Sequence, residues 1–199
     1  PWCKTGGLAD ISAALPKFLA NDDDNSVTVV VPFCHMAKKR VTEQNITLTD
    51  TGVGVKLSTK MGWHYGHFYQ HHDGNKYRLL FFDCPALFDR DGLYQDESIS
   101  YKPDFQDNPH RFAFFCRAIV ESLDRLSTPL PDLIHTNDWQ TALLPLLLKK
   151  SLNKRYNEIK TVFTIHNLGY QGVFHKNTLT EIGLSWDLFN MDELEFYQQ

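Results

Sequence analysis

Residues 161–172, with the sequence Thr-Val-Phe-Thr-Ile-His-Asn-Leu-Gly-Tyr-Gln-Gly, decide the predicted fold of this chain. The segment begins as an apolar run typical of a buried strand. It then passes directly into a polar stretch that carries His166, Asn167, Tyr170 and Gln171. In open α/β sheets, ligands bind just beyond the carboxyl ends of parallel strands, because the loops there present polar groups on a rigid frame. The segment therefore predicts a strand that ends at a functional site.

The same change of character occurs one unit earlier in the chain. The sequence Asp132-Leu-Ile-His-Thr-Asn-Asp-Trp-Gln passes from a short apolar run into polar residues, and an apolar helix is predicted over residues 140–151. The polar side chains of this second segment are those of His135, Asn137, Asp138 and Gln140. We expect the two neighbouring strand ends to direct their polar groups to the same side of the sheet.

The rest of the chain alternates helical and strand patterns. Apolar residues recur at helical spacing from Leu8 to Leu19, and a β-branched run follows over residues 27–33. The turn-rich stretch over residues 86–109 is long and lacks periodicity, so it predicts a functional loop. A helix is then predicted from Pro109 to Leu126, with Asn108 as its N-cap. The remaining predicted elements are strands over 52–57, 64–69, 77–83, 132–135 and 160–165, and a final helical region over 176–190.

This order of elements is typical of an α/β fold with a mostly parallel sheet and an antiparallel insertion around residues 50–83. Residues 77–83 are the expected central strand. A chain of 199 residues is long enough for one domain with a sizeable core and too short for two of full size. The hydrophobic and charged fractions, 42% and 22%, are those of a folded protein.

Charge and composition exclude several classes of partner. The formal net charge of -4 gives no general attraction for polyanions, so nucleic acid and anionic membranes are poor candidates. No stretch approaches about 18 consecutive apolar residues, so we expect no membrane span. We also expect no signal peptide, and both ends of the sequence are expected to be cut, because it lacks an initiating Met. The widely spaced cysteines indicate reduced thiols in a cytoplasm; they are Cys3, Cys34, Cys84 and Cys116.

The segment Lys4-Thr-Gly-Gly-Leu-Ala-Asp10 is a candidate anion site. Gly6 and Gly7 allow a tight turn and close backbone approach, and the helix that follows offers free N–H groups to a phosphate, to which Lys4 adds a full charge. A Gly-Gly pair before a helix is more often only a connection. The segment matches neither the GxGxxG nor the Walker pattern.

Four segments in this order and spacing resemble those of bacterial glycogen synthases and plant starch synthases, which form glycosyltransferase family 5. They are Lys4–Asp10, Asp107–Phe114, His135–Leu143 and Thr164–Gly172. The resemblance implies a GT-B fold, in which two Rossmann-like domains enclose the active site. It also implies retaining transfer of glucose from ADP-glucose to the non-reducing end of an α-1,4-glucan, with no cofactor. Residues 1–199 then represent a partial N-terminal, acceptor-side domain without its first strand and without the C-terminal domain, and this piece alone is expected to have little or no activity.

The resemblance also implies roles for individual residues. His166 is expected near the transferred glucose, and Asp138 is expected to line the sugar cleft. Lys4, with Gly6 and Gly7, is expected to face the diphosphate of the nucleotide sugar. The other substrate-binding candidates are Tyr94, Asn167, Tyr170 and Gln171. One departure is Gln140, where many family members have His; glutamine cannot change charge near neutral pH.

Simpler roles compete for several of these side chains. The histidines of the 64–72 stretch are expected to serve strand pairing or the surface, and no metal site is predicted; they are His64, His67, His71 and His72. Trp139 is equally compatible with the core and with stacking on a sugar. His135 is expected to brace its strand end, and Asp22–Asp24 to form a solvated turn.

Two other functions are compatible with parts of the pattern. A non-catalytic α-glucan-binding module could retain the sugar cleft. A dinucleotide-dependent oxidoreductase is disfavoured by the missing GxGxxG motif and by the lack of an acidic ribose-binding residue at the usual spacing. The expected location is a bacterial cytoplasm, or a plastid if the source is a plant.

Overall fold

The computed structural model describes residues 2, 6–74, 77–101, 103–195 and 197. The helices are α1 (Gly7–Leu19), α2 (His35–Glu43), α3 (Pro85–Phe88), α4 (Asn108–Leu126), α5 (Leu143–Lys150) and α6 (Thr178–Glu181). The strands are β1 (Thr28–Pro32), β2 (Thr49–Thr59), β3 (Gly62–Asp73), β4 (Tyr77–Asp83), β5 (Leu133–Asn137) and β6 (Lys160–Thr164). Short 3₁₀ helices lie at Trp139–Thr141, Lys154–Glu158 and Trp186–Leu188. The chain divides into two compact units, formed by residues 1–54 with 65–105 and by residues 55–64 with 106–199.

A four-stranded sheet has the strand order β1-β4-β3-β2. Its β4 strand pairs in parallel with β1, where Val31 lies opposite Phe81, and antiparallel with β3, where Phe68 lies opposite Phe82. All four residues from Leu79 to Phe82 are buried. A strand covered on both faces needs apolar side chains at successive positions. The prediction that residues 77–83 form a central strand is therefore confirmed.

The core of the first unit forms around the aromatic side chains of this sheet. The rings of Phe33 and Phe81 lie 5.1 Å apart, and Ala37 of α2 is fully buried beside them. Gly66 on β3 faces the ring of Phe82, and a Cβ atom at position 66 would overlap that ring. Only glycine fits there, so this position is determined by the close approach of the two strands.

The second unit is built on the long helix α4. Phe112, Phe115 and Leu123 are buried on this helix, and Leu144 and Leu148 of α5 are buried as well. The strands β5 and β6 form a parallel pair with His135 opposite Val162 and Asn137 opposite Thr164. Both strands therefore end at the same edge, as the sequence predicted for these two segments.

The predicted α/β class is confirmed, with parallel pairs β1–β4 and β5–β6 and an antiparallel pair β3–β4 inside the predicted 50–83 insertion. Several bounds differ from the predictions. Helix α2 was not predicted, because residues 35–43 carry few apolar side chains. The region predicted as helical over 176–190 contains only α6 and a 3₁₀ turn, and the helix predicted over 140–151 begins as a 3₁₀ turn.

The predicted N-cap of α4 is wrong. Asp107 is the N-cap residue, and its side chain makes no capping hydrogen bond. Asn108 lies inside the helix instead, where its Oδ1 atom accepts a hydrogen bond of 2.7 Å from the buried guanidinium of Arg111. A buried cation needs such a partner, and this need overrides the capping preference of Asn.

The cysteines do not all behave as predicted. Cys34 is disulfide-bonded, so the prediction of a reduced thiol is wrong at this position. Cys84 and Cys116 are free and buried. Burial raises the pKa of Cys84 to about 11 and that of Cys116 to about 12, so both are inert thiols at neutral pH. In the described part of the chain, no helix has the length and apolar character needed to cross a membrane.

Candidate functional site

The site begins where β5 ends, at Asp138. Its φ and ψ angles are 54° and 177°, a combination that glycine adopts easily and that costs another residue about 1–3 kcal/mol. The Asp138 N–H group donates to the carbonyl of Thr164 on β6 across 2.9 Å, and the residue is only 8% exposed. Strained backbone of this kind persists where the surrounding contacts hold it, and it is concentrated at functional sites.

The carboxylate of Asp138 organises the polar loop that follows β6. Its Oδ1 atom accepts the backbone N–H of His166 at 2.6 Å and that of Asn167 at 3.4 Å. Hydrogen bonds to an ionised acceptor each contribute about 1.5–3 kcal/mol. A single buried carboxylate thus joins the two strand ends that the sequence predicted to lie side by side.

The imidazole of His166 is half-buried and contacts the last residue of β5. Its Nε2 atom lies 2.9 Å from Oδ1 of Asn137. Thr141 holds Asn137 in turn, since its hydroxyl accepts the Asn137 N–H at 2.7 Å and donates to the Asn137 carbonyl at 2.8 Å. The sequence placed Asn137 in the polar segment but assigned no role to it or to Thr141, because the pairing of β5 with β6 was not known from either segment alone.

The rest of the polar loop folds on itself and faces outward. The Asn167 Oδ1 atom accepts the N–H of Gly169 at 2.9 Å, and the Gln171 side chain donates to the Leu168 carbonyl at 3.1 Å. Asn167 and Gln171 are exposed, and Tyr170 is 63% exposed. These side chains are accessible to a ligand from solvent.

The loop closes against Trp139 at a glycine that the sequence analysis did not single out. Gly172 has a φ of 67°, and a Cβ atom there would lie 2.7 Å from the Cβ of Trp139. The Trp139 ring meets Phe112 and Phe174 edge-on, at centroid distances of 5.2 and 5.4 Å. These contacts support the core role of Trp139, because its ring is occupied by neighbouring side chains. In the sequence, the position of Gly172 directly after the polar residues was the available indication of this close approach.

A cavity of about 390 Å³ lies beside this loop, within the second unit. Trp139, Gln140, Gln171 and Phe174 are among its lining residues. The Oε1 atom of Gln140 is buried and has no hydrogen-bond partner in the described portion of the chain. Position 140 therefore carries an uncompensated buried acceptor.

Four of the predicted substrate-binding positions lie elsewhere or outside the described residues. Lys4 lies outside them. Gly7 is the first residue of α1 and Gly6 its N-cap, and a Cβ atom at either would meet open space. Tyr94 is half-buried and packs against the core of the first unit. Thus Asp138, His166, Asn167, Tyr170 and Gln171 share the second unit, whereas Gly6, Gly7 and Tyr94 belong to the first.

Several histidines and one aspartate have the structural roles that competed with functional ones in the sequence analysis. His135 braces its strand, because its Nε2 atom lies 2.7 Å from the Thr164 hydroxyl. His67 pairs with Asp50, and His71 contacts the Thr47 carbonyl at 3.1 Å. Among the residues that the structure describes, no group of three or more His, Cys, Asp or Glu side chains is placed to hold a metal ion. Asp22 forms a local turn by accepting the N–H of Asp24.

Comparisons with known proteins agree on one family of proteins. A sequence profile described as the starch synthase catalytic domain matches residues 1–199. Glycogen synthase 2 of Geobacter metallireducens is 39% identical over 199 residues, and glycogen synthase of Geotalea daltonii is 36% identical over 199 residues. Each alignment covers 99% of this chain and 39% of the relative, so the chain spans well under half the length of these relatives.

A solved structure agrees with the sequence comparison. The catalytic domain of starch synthase IV from Arabidopsis thaliana, bound to ADP and acarbose, matches with a TM-score of 0.77 and 26% sequence identity. The match covers 97% of this chain and 37% of that one.

Proposed function

Because this chain belongs to the family of starch synthase catalytic domains, we propose that the longer protein containing it is a hexosyltransferase that extends an α-1,4-glucan. The proposed reaction is retaining transfer of glucose from ADP-glucose to the non-reducing end of the glucan. Residues 1–199 form part of the N-terminal, acceptor-side domain of this GT-B enzyme. The names of the relatives and the ADP and acarbose in the starch synthase IV structure support the substrates.

The observation that carries the proposal is the pair of hydrogen bonds that the Asp138 carboxylate accepts from the His166 loop. Glycosyl transfer passes through an oxocarbenium-like state, so the enzyme needs fixed hydrogen-bonding groups around the sugar. The Oδ1 atom of the Asp138 carboxylate is occupied by the backbone N–H groups of His166 and Asn167. Asp138 therefore acts by positioning, and the imidazole of His166 is the group that faces the transferred glucose.

The remaining assignments follow the family motifs. Asn167, Tyr170 and Gln171 contact the sugar from the same loop, and Tyr94 contacts the acceptor. Lys4 faces the leaving diphosphate, where negative charge develops, and Gly6 and Gly7 allow the N-terminus of α1 to approach it. The reaction uses no cofactor and no metal ion, and the protein acts without nucleic acid or membrane in a bacterial cytoplasm, or in a plastid if the source is a plant.

The test is a transfer assay with the full-length protein, which follows labelled glucose from ADP-glucose into glycogen. We expect His166→Ala and Lys4→Ala each to lower kcat by at least about 100-fold, because each removes a group that acts on the transition state. Circular dichroism should show that both variants remain folded. Lys39→Ala and His72→Ala serve as matched controls, because both residues are exposed on other elements.

Three outcomes would contradict the proposal in whole or in part. Near-normal rates in both variants would reject the assigned roles. A full-length protein that binds α-1,4-glucan but consumes neither ADP-glucose nor UDP-glucose would reject the enzyme and favour a glucan-binding module. Preference for UDP-glucose over ADP-glucose would reject the proposed donor alone.

A further inference from the structure

The His166 ring and the Asn137 amide meet between the ends of β5 and β6. Oδ1 of Asn137 lies 2.9 Å from Nε2 of His166, and an amide oxygen can only accept a hydrogen bond. Nε2 must therefore carry the proton. In the neutral ring, Nδ1 is then left with a free lone pair.

The frame that holds Asn137 is well fixed. Its N–H and its carbonyl both bond to the hydroxyl of Thr141, at 2.7 and 2.8 Å. Asn137 also lies opposite Thr164 in the parallel pairing of β5 with β6. A side chain on a strand whose backbone is bonded in this way keeps a constant position, which is the requirement for orienting a neighbouring ring.

The charge near the ring explains why a neutral amide suits this position. Asp138 is a charged residue in contact with the His166 segment, and its Oδ1 atom accepts backbone N–H groups rather than the ring. A carboxylate at position 137 would favour the doubly protonated imidazolium. An amide oxygen selects one tautomer of the ring and adds no charge that would favour the imidazolium.

We propose that Asn137 is a positioning residue that holds His166 in the tautomer protonated at Nε2 and thereby presents the Nδ1 lone pair as a hydrogen-bond acceptor. Among the described residues, Asn137 is the hydrogen-bond partner of the His166 ring, and this bond uses Nε2. The Nδ1 atom is therefore open to a ligand. The identity of that ligand as a hexose hydroxyl rests on the proposed function. The tautomer itself does not.

The test is ¹⁵N NMR of the full-length protein labelled at its histidine nitrogens, with His166→Gln used to assign the signals. In the wild-type protein at alkaline pH, we expect the proton on Nε2 and slow exchange of this proton with water. Asn137→Ala should increase its exchange rate at least about tenfold, because the acceptor is lost. Asn137→Asp keeps an acceptor of the same shape, so Nε2 should stay protonated. The added carboxylate favours the doubly protonated imidazolium, which should persist to higher pH than in the wild type.

The matched control is Asn177→Asp, the same change at the exposed N-cap of α6, where Asn and Asp are equally favoured. It should leave the His166 signals unchanged. A proton on Nδ1 in the wild type would overturn the inference, as would unchanged exchange in Asn137→Ala. If Asn137→Ala does not fold, the isosteric Asn137→Asp decides, and an unshifted titration of its His166 ring would overturn the inference.

Glucose transfer provides a separate readout. Asn137→Ala should lower kcat/KM by about tenfold or more, and Asn137→Asp should move the acid limb of the pH profile to higher pH. A wild-type protein that transfers no glucose but shows the Nε2 proton would reject the proposed function and retain the tautomer. A fully active protein with the proton on Nδ1 would reject only the role of Asn137.

Discussion

The carboxylate of Asp138 accepts the backbone N–H of His166 across 2.6 Å, although 28 positions separate the two residues in the sequence. The bond forms because Asp138 follows the last residue of β5 and His166 begins the polar loop after β6. Asp138 reaches this position with a φ of 54° and a ψ of 177°. The local backbone strain is offset by a charge-assisted bond and by the N–H bond to Thr164.

This strain predicts an unusual order of stability for two truncations. Asp138→Ala and Asp138→Gly both remove the carboxylate, but only glycine relaxes the backbone. We expect the Gly variant to be more stable than the Ala variant by about 1 kcal/mol, measured as the free energy of unfolding in urea.

The control for this comparison is an exposed position inside a helix. At Lys39 in α2, the same pair of substitutions should give the reverse order, because glycine costs about 1 kcal/mol relative to alanine in a helix interior. An Ala variant at 138 as stable as the Gly variant would show that the backbone at Asp138 is not strained.

The closure of the loop on Trp139 yields a second prediction. Gly172→Ala should destabilise the protein by about 2–4 kcal/mol, because the new Cβ combines an unfavourable φ of 67° with a position 2.7 Å from the Trp139 Cβ. Gly52→Ala is the matched control, since Gly52 has a φ of 69° but open space around it. It should cost only about 1–2 kcal/mol. Equal losses of thermal stability in the two variants would mean that Trp139 can move away from the new Cβ without destabilising the protein.

Much of the fold could be predicted because it depends on local patterns. The apolar runs of β4 and β6 and the apolar face of α4 are properties of single segments, so the sequence contains them. Helix α2 was missed because Ala37, its fully buried residue, is too small to reveal an apolar face. The tertiary contacts of Ala37, rather than its own pattern, determine this helix.

The site could be predicted only in part, for a related reason. The polar strand ends were visible, but the contacts from Asn137 and Asp138 to His166 depend on the register between β5 and β6. A pattern within one segment does not contain this register. The family resemblance supplied His166 and Asp138 as candidates, and the geometry separates the buried carboxylate that positions the loop from the imidazole that remains accessible.

An acid-dependent loss of stability is expected from Asp89 in the first unit. The hydrogen bond from Lys38, whose Nζ lies 2.9 Å from Oδ2 of Asp89, lowers the pKa of the Asp89 carboxyl from its usual value, and His35 adds a second contact. A carboxyl with a lowered pKa stabilises the folded state fully above its unfolded pKa, and this contribution is lost as the pH falls through the folded value.

The corresponding variant is Asp89→Asn. Above about pH 4, it should be less stable than the wild type. The difference should be no more than about 1 kcal/mol, because the ion pair is partly solvated. At lower pH, the free energies of unfolding of the variant and the wild type should converge. Urea unfolding between about pH 2 and pH 6 measures this difference. Asp23→Asn, at an exposed turn, should run parallel to the wild type. A constant gap between Asp89→Asn and the wild type down to the lowest pH would contradict the assignment.

The buried oxygen of Gln140 predicts a substitution that does not destabilise the protein. Its Oε1 atom has no hydrogen-bond partner within the described residues, so Gln140→Leu removes a desolvated acceptor while keeping a side chain of similar size. We expect a change in the free energy of unfolding between zero and about 1 kcal/mol in the stabilising direction. Gln70→Leu is the control, because Oε1 of Gln70 accepts the Arg78 Nε–H at 2.9 Å, and its loss should cost about 1–3 kcal/mol. Opposite signs for the two substitutions support the structure, whereas a destabilising Gln140→Leu would show that Gln140 makes a polar contact that the structure does not contain.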